Sequence, residues 1–263
     1  MIVVLQPAFS ALSDFIYSLP DRFEKEGYCL YKGRNELRVF DVNGLRINVK
    51  AFKRPNYLNR IVYSFLRPSK ARRSYENSIR MTSLGFDVPA PIAYMEIKKR
   101  GLLDRSYFVS LQCPYTNNFR CFGQSPLTEA LAFVPKAFGT YVANMHEAGV
   151  LHKDLSIGNV LFEVDQEQVR FCLVDLNRMQ FGAAIGLEKG CKNVNRLRGD
   201  EAFFKQMAHS YADARGFDPT VCFEIMLCSA RKSQQWFRRK SVRKQRLRKL
   251  TEVRKRLVGH FKA

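Results

Sequence analysis

Acidic residues are scarce in this sequence: 24 Asp and Glu stand against 44 Lys and Arg in 263 residues, a formal charge of +20. That imbalance points to an anionic partner, whether nucleic acid, phospholipid head groups or a phosphorylated substrate. No CxxC pair occurs, and the seven cysteines (29, 113, 121, 172, 191, 222 and 228) are odd in number. A metal framework or disulfide scaffold is therefore not expected, and a reducing cytoplasm fits best. No apolar run approaches the roughly 18 residues that a membrane-spanning helix needs. The opening MIVVLQPAFSALSDFIYSLP has no basic n-region and is interrupted by Gln6, Pro7 and Asp14, so it reads as mature structure and not as a signal peptide. Internal repeats and low-complexity linkers are lacking too. What the chain does have is 46% hydrophobic residues, enough for one large domain or for two lobes sharing a cleft.

The first part reads as β-rich. Residues 28–53 alternate in polarity and carry the turn signal Asn43-Gly44, which predicts two or three antiparallel strands. A helix is predicted over residues 69–86, with Ser69 as its cap, Gly85 as its stop, and Tyr75, Ile79 and Leu84 at helical spacing. Two further strands flank Gly101, so the first 115 residues look like a small sheet with one helix. After residue 125 the pattern changes. A helix is expected from about Thr128 to His146, with Pro135 marking a kink or a later start. Two short strands follow, joined through residues 165–167, and the chain is mostly helical from about residue 187. The expected lobes are residues 1–117 and 118–263, with the boundary near residues 115–120.

Between the long helix and the strand pair lies LHKDLSIGNVLF, residues 151–162, with Asp154 and Asn159 five apart. A further acid, Asp175, ends the second strand in CLVDLN. Apolar strands that end in polar residues put those groups at one rim of a sheet. There a carboxylate and an amide can hold a divalent cation while a second carboxylate faces a substrate hydroxyl. Magnesium prefers oxygen ligands and keeps waters and substrate phosphates, so few protein ligands suffice. The bland alternative is a capped turn joining a helix to a strand.

HKDLSIGN resembles the catalytic loop H-x-D-x-x-x-x-N of protein-kinase-like phosphotransferases, with Asp175 where their metal-binding Asp falls. Upstream, Lys50 in INVK matches the strand lysine that grips ATP phosphates, and Glu76 matches its ion-pair partner. The resemblance covers roughly residues 28–180 and implies an α+β, two-lobed protein-kinase-like fold, with a β-rich N-lobe and a helical C-lobe. Within that superfamily the chain is most similar to bacterial lipopolysaccharide kinases that phosphorylate Kdo or heptose of the inner core. The likeness rests on NVKAFKRPNYLNRIVYSFLRPSKARRSYENS, PAPIAYMEI and HKDLSIGNVLF…VDLNRM. It implies that Asp154 orients the acceptor hydroxyl and takes its proton, that Asn159 and Asp175 hold magnesium on ATP, and that Lys50 neutralises phosphate oxygens with Glu76 fixing its ammonium. His152 would organise the loop. The nucleotide cover would come from the segment around Gly33. Lys53 competes with Lys50, but three residues on it faces the other side of a strand. Arg72, Arg73 and Arg80 compete for Glu76. Asn177 either caps the turn or touches metal or substrate.

The departures narrow the class. Gly33 stands alone where protein kinases have G-x-G-x-x-G, Asp-Leu-Asn replaces D-F-G, Ser156 stands where many protein kinases have Lys, and no A-P-E segment follows. A small-molecule or glycolipid kinase is expected ahead of a protein kinase. The basic charge argues against relatives that modify cationic aminoglycosides. A non-catalytic module binding an anionic surface remains the rival of another class. On the acceptor side, Lys189, Lys192, Arg196 and Arg198 can meet phosphates or carboxylates, or simply form a solvated loop. The tail, residues 231–263, has 14 Lys or Arg against the single acid Glu252. Leu247, Leu250, Val253, Leu257 and Phe261 make its apolar stripe. Such a helix either packs on the helical lobe or lies on the anionic inner face of the inner membrane, where a lipid A-linked sugar acceptor resides. Without interleaved aromatics or an RNA-module signature, no nucleic acid is expected.

Overall fold

The structure, a computed structural model, describes residues 1–124, 126–128, 131–166 and 168–260, with side chains described through 243 and at 245. Its first half is a six-stranded antiparallel sheet of β1 (Ile2–Leu5), β2 (Tyr28–Lys32), β3 (Glu36–Val42), β4 (Leu45–Phe52), β5 (Pro91–Lys99) and β6 (Leu102–Leu111), in the order β1-β5-β6-β4-β3-β2. Asn43 and Gly44 both take positive φ, 52° and 76°. That is the primed turn their sequence signals, and it fixes the β3–β4 register. Alternation along β4 then decides the lobe's layout. Ile47 and Val49 go to one face, against Phe15, Ile16, Leu19 and Phe23 of and just after helix α1 (Ser13–Arg22). Lys50 and Phe52 go to the other face, where helix α3 (Lys70–Ser83) packs through Ala71 and Tyr75.

Among the elements not expected, two come from the opening residues. The opening residues form the edge strand β1 and helix α1, so the lobe has more than one helix. Phe15, Ile16, Leu19 and Phe23 carry a helical spacing, but Pro20 sits among them. In α3, Ser69 caps as expected, its hydroxyl accepting from Arg72 N–H at 3.1 Å. Its buried face is Ala71, Ser74, Tyr75, Ser78 and Met81, whereas Ile79 and Leu84 are exposed. Between β4 and α3 lies a short helix α2 (Tyr57–Ile61) that runs on as a π-helical turn, Val62–Leu66.

The chain leaves this sheet after Leu111 and enters a second one at β7 (Asn117–Asn118), which pairs with β9 (Val160–Asp165), itself paired with β10 (Gln168–Leu173). The expected 117/118 boundary falls inside β7. Around these strands stand α4 (Phe133–Glu147), α5 (Leu187–Asn193), α6 (Glu201–Arg215) and α7 (Pro219–His260). Helix α4 starts at Phe133, past the expected Thr128, so Pro135 lies in its first turn, where a missing N–H costs little. The core beneath is aromatic: Phe119 meets Phe122, Phe138, Phe162, Phe171 and Phe203 edge-on. Burying each such ring is worth roughly 1.5–3 kcal/mol. Helix α7 begins as part of this core through Cys222, Met226 and Ala230. The stripe Leu247, Leu250, Val253, Leu257 and Phe261 lies outside the described side chains.

Candidate active site

Strand β8 (Val150–His152) pairs antiparallel with β11 (Met179–Phe181), His152 opposite Met179. That short ladder sets the loop 153–159 beside the turn 174–178. Backbone bonds complete the join: Lys153 N–H donates to the Arg178 carbonyl at 2.9 Å, and Val174 N–H to that of Asn159 at 3.0 Å. His152 is fully buried. Its Nδ1 accepts from Asp154 N–H at 3.1 Å, so Nε2 carries the proton and donates to the Val174 carbonyl at 3.1 Å. The imidazole thus ties the two loops together, and burial keeps it neutral by lowering its pKa.

Asp154 and Asn159 come together inside the loop, where Asn159 Nδ2 donates to the Asp154 carbonyl at 2.9 Å. That bond uses the amide N–H and leaves Asn159 Oδ1 as an oxygen donor. Asp175 takes a left-handed conformation at φ 62°, which Asp tolerates better than most residues. Its Oδ1 meets the Lys50 ammonium at 2.7 Å and accepts from Asn177 Nδ2. Burial pushes the Asp175 carboxyl up, but the Lys50 charge and the bonds from Lys50 and Asn177 outweigh it and hold the group below its usual range. Asn177 therefore orients the carboxylate. The oxygen-only pair Asn159 and Asp175 suits magnesium, whose remaining ligands would be phosphates and waters.

These groups line one end of a cleft of about 640 Å³ between the large sheet and the second half of the chain. Leu37, Leu111, Leu161 and Val174 provide apolar walls, and Asn48, Lys50, Asn159 and Asp175 the polar end. Further cations gather at that end. Lys70 is half-buried; burial depresses its pKa first, and repulsion from Arg34, Arg178 and Arg73 adds to it. Such a concentration of positive charge calls for a polyanion.

Two expected residues sit elsewhere. Glu76 does not reach Lys50. It is exposed, and its Oε1 accepts from Arg72 Nε at 2.7 Å. The rotation of α3 is the reason: Ser74 and Ser78 face the cleft, and Glu76 lies off that face. The contact from α3 to the Asp175 turn is made instead by Asn77, whose Nδ2 donates to the Leu176 carbonyl at 2.6 Å. Gly33 spends its N–H on the Asn35 carbonyl at 3.1 Å, and Tyr31, Arg34 and Asn35 line the cleft from that hairpin. Lys53 lies exposed just past the end of β4.

Beyond the loop, Asp154 is ion-paired to Arg196 and lies 3.7 Å from Arg178. Arg196 bridges Ser156 through the backbone, so the cation absent from position 156 arrives from another segment. Arg196, Arg198 and Arg120 line a cavity of about 280 Å³ together with Ser156 and Phe237 of α7. Gly158 makes room for Arg120: a Cβ there would lie 2.9 Å from Arg120 Nη2. Lys189 and Lys192 line a neighbouring cavity, and Lys192 is bound by Glu188 at 2.5 Å. Arg120 escaped the sequence reading because it belongs to no motif, and Arg178, although it lies within VDLNRM, was assigned no role there.

A buried network supports the loop from below. Asn193 Nδ2 donates to the His152 carbonyl at 3.0 Å, and its Oδ1 accepts from His146 Nε2 at 3.1 Å. His146 Nδ1 then accepts from the Tyr211 hydroxyl at 3.0 Å. Burial pulls the His146 pKa from 6.5 down to about 4. The unfolded chain therefore binds a proton that the folded chain refuses. The stability this represents is complete above pH 6.5 and is lost as pH falls towards about 4. It amounts to about 3 kcal/mol. Urea unfolding followed from about pH 7.5 to about pH 5 should show this slope, flattened in His146→Gln; equal slopes would remove His146 as its source.

Residues 32–206 match the lipopolysaccharide kinase (Kdo/WaaP) family. Two curated relatives are named 3-deoxy-D-manno-octulosonic acid kinase. The one from Vibrio cholerae serotype O1 is 32% identical over 130 residues, 48% of this chain and 52% of the relative. That from Vibrio parahaemolyticus serotype O3:K6 is 24% identical over 154 residues, 56% and 63% of the two chains. The chain thus spans less than two thirds of the length of these relatives. A solved structure, WaaP in complex with acyl carrier protein, superposes with a TM-score of 0.62 at 19% identity, over 89% of this chain and 99% of that one. The fold is accordingly protein-kinase-like, and with the family match extending over more than half of its residues, this chain belongs to the lipopolysaccharide kinase (Kdo/WaaP) family.

Proposed function

We propose that this protein transfers the γ-phosphoryl group of ATP to a hydroxyl of an inner-core sugar of lipopolysaccharide, and that the sugar is 3-deoxy-D-manno-octulosonic acid in preference to heptose. The observation that carries the reading is the Lys50–Asp175 pair at 2.7 Å, in one cleft with Asn159 and next to Asp154. The choice of sugar is supported by the names of both curated relatives and by the arginine-lined cavity beside Asp154, which suits a carboxylate-bearing sugar.

In this reading ATP lies in the cleft with its phosphates at Lys50, Lys70 and Arg34. Magnesium, held by Asn159 and Asp175, would supply neutralisation of phosphate charge. Asp154 accepts the acceptor hydroxyl's proton as the new O–P bond forms, and the bond between the γ-phosphorus and its bridging oxygen breaks to release ADP. Positioning and charge stabilisation carry most of such a reaction. The work would take place at the inner face of the bacterial inner membrane, with residues 231–263 as a peripheral contact. Incubation with magnesium, ATP and lipid A bearing the octulosonic acid should yield one added phosphate by mass spectrometry, and heptose-only acceptors none. Transfer to heptose, or to Ser, Thr or Tyr of proteins instead, would refute the reading.

A further inference from the structure

The ten residues Tyr57–Leu66 contain seven apolar or aromatic side chains, yet none is buried. Tyr57 is 67% exposed, Leu58 72%, Phe65 70% and Leu66 79%. A surface helix of a water-soluble protein normally turns its apolar stripe inward. Here the polarity is reversed, because polar groups fasten the segment to the sheet. Arg60 Nε donates to the Leu103 carbonyl at 2.8 Å, and the Ser64 hydroxyl accepts from Leu103 N–H at 2.8 Å. Tyr57/Leu58, Ile61/Val62 and Phe65/Leu66 recur in steps of four. Four residues of α-helix rotate past a full turn and four of π-helix fall short of one, so the pairs stay on one side.

The surround is cationic. Residues 53–70 include Lys53, Arg54, Arg60, Arg67 and Lys70 and no acid. Among the described residues Asp104 is the one carboxylate in ion-pair reach, shared by Arg54 and Arg60. Protruding apolar groups ringed by cations meet their complement in the headgroup region of an anionic bilayer, where acyl chains take the former and phosphates the latter. A second copy fits poorly: a two-fold contact would press one cationic face against the same face. No helix among the described residues is long and apolar enough to cross a membrane, so the segment would lie in the surface plane.

We propose that the face formed by residues 53–67 docks on an anionic phospholipid surface. It is a different element from the basic C-terminal helix, and its exposed apolar side chains take no part in the catalysis proposed above. Lys70, which follows this stretch, stands within Coulomb reach of Asp175, so the docked face adjoins the side of the protein that holds the phosphate end of the cleft.

The test uses the full chain and sucrose-loaded vesicles of phosphatidylglycerol with phosphatidylcholine, against phosphatidylcholine alone. Leu58→Ser with Phe65→Ser and Leu66→Ser should weaken partitioning onto the anionic vesicles at least about tenfold. Its thermal unfolding midpoint should not fall, because the lost side chains are unburied. Leu66→Trp in a Trp236→Phe background should give indole emission that shifts to the blue on these vesicles and is quenched by brominated acyl chains. Wild-type partitioning by the triple variant, or an indole that stays unshifted and unquenched, overturns the proposal. So does self-association of the wild type, without lipid, that the triple variant abolishes; that result gives the face to a second copy.

Discussion

Asp154→Ala should lower kcat for sugar phosphorylation by about 10²–10⁴-fold, the usual contribution of a positioned proton acceptor. The Michaelis constant for ATP should change little, because Asp154 does not contact the Lys50–Asp175 end of the cleft. Asp154→Asn separates proton transfer from charge pairing. It keeps the size of the side chain and can still accept from Arg196, but it cannot take a proton at neutral pH. It should fail as badly as alanine. Steady-state kinetics on both variants decide the matter, and a turnover near that of the wild type in either would remove Asp154 from the chemistry.

Asp175→Ala should be the more damaging change, because it strikes activity and stability together. The Lys50 side chain is 11% exposed and its carboxylate partner 28%. Taking away the carboxylate leaves a buried ammonium unpaired, which costs about 3 kcal/mol, the low end for a buried pair because Asp175 is partly open to solvent. Phosphoryl transfer should fall below detection as the phosphate end loses its one carboxylate. Denaturant unfolding and nucleotide titration read the two effects separately. Lys50→Met combined with Asp175→Asn should restore much of the stability and none of the activity. Glu76→Ala, whose partner is an exposed arginine, should alter turnover less than about threefold, since surface ion pairs contribute roughly 1 kcal/mol or less. A collapse of activity in that variant would mean that Glu76 reaches the cleft after all.

What could be read from the sequence follows from which contacts are local. The β3–β4 turn announces itself through Asn43-Gly44, and the strands around Gly101 and residues 165–167 show as apolar runs broken by a polar or glycine turn. The loop from His152 to Asn159 carries its own hydrogen bonds, so its residues keep their spacing from sequence to structure. Helix α3 defeats the same method. Its buried face includes Ser74 and Ser78, whose hydroxyls donate to the carbonyls of Lys70 and Ser74 at 2.9 and 2.8 Å. Serines satisfied in this way bury without any hydropathy signal. The apolar Ile79 and Leu84 therefore suggested the wrong face; the pairing of Glu76 with Lys50 was implied by the family resemblance, and the observed rotation of α3 does not deliver it. Arg178 and Arg120, and the pairing of Arg196 with Asp154, belong to the other class of failure. Each reaches the site through a tertiary contact, and in a chain with 44 cations no single arginine stands out.

The placement of Arg196 has a consequence for how the protein matures. The carboxylate of the loop meets the nearer of its two cations, Arg196, through the segment after α5 that bridges Ser156, with the guanidinium resting 5.4 Å from the Phe237 ring of α7. A nascent chain that has just emerged past Asn159 already owns the loop's sequence but not its electrostatic setting. A fragment ending at Asn159 would therefore lack the charge that sets the loop's carboxylate. Recovery of turnover during refolding would accordingly be a late clock, running behind the return of secondary structure.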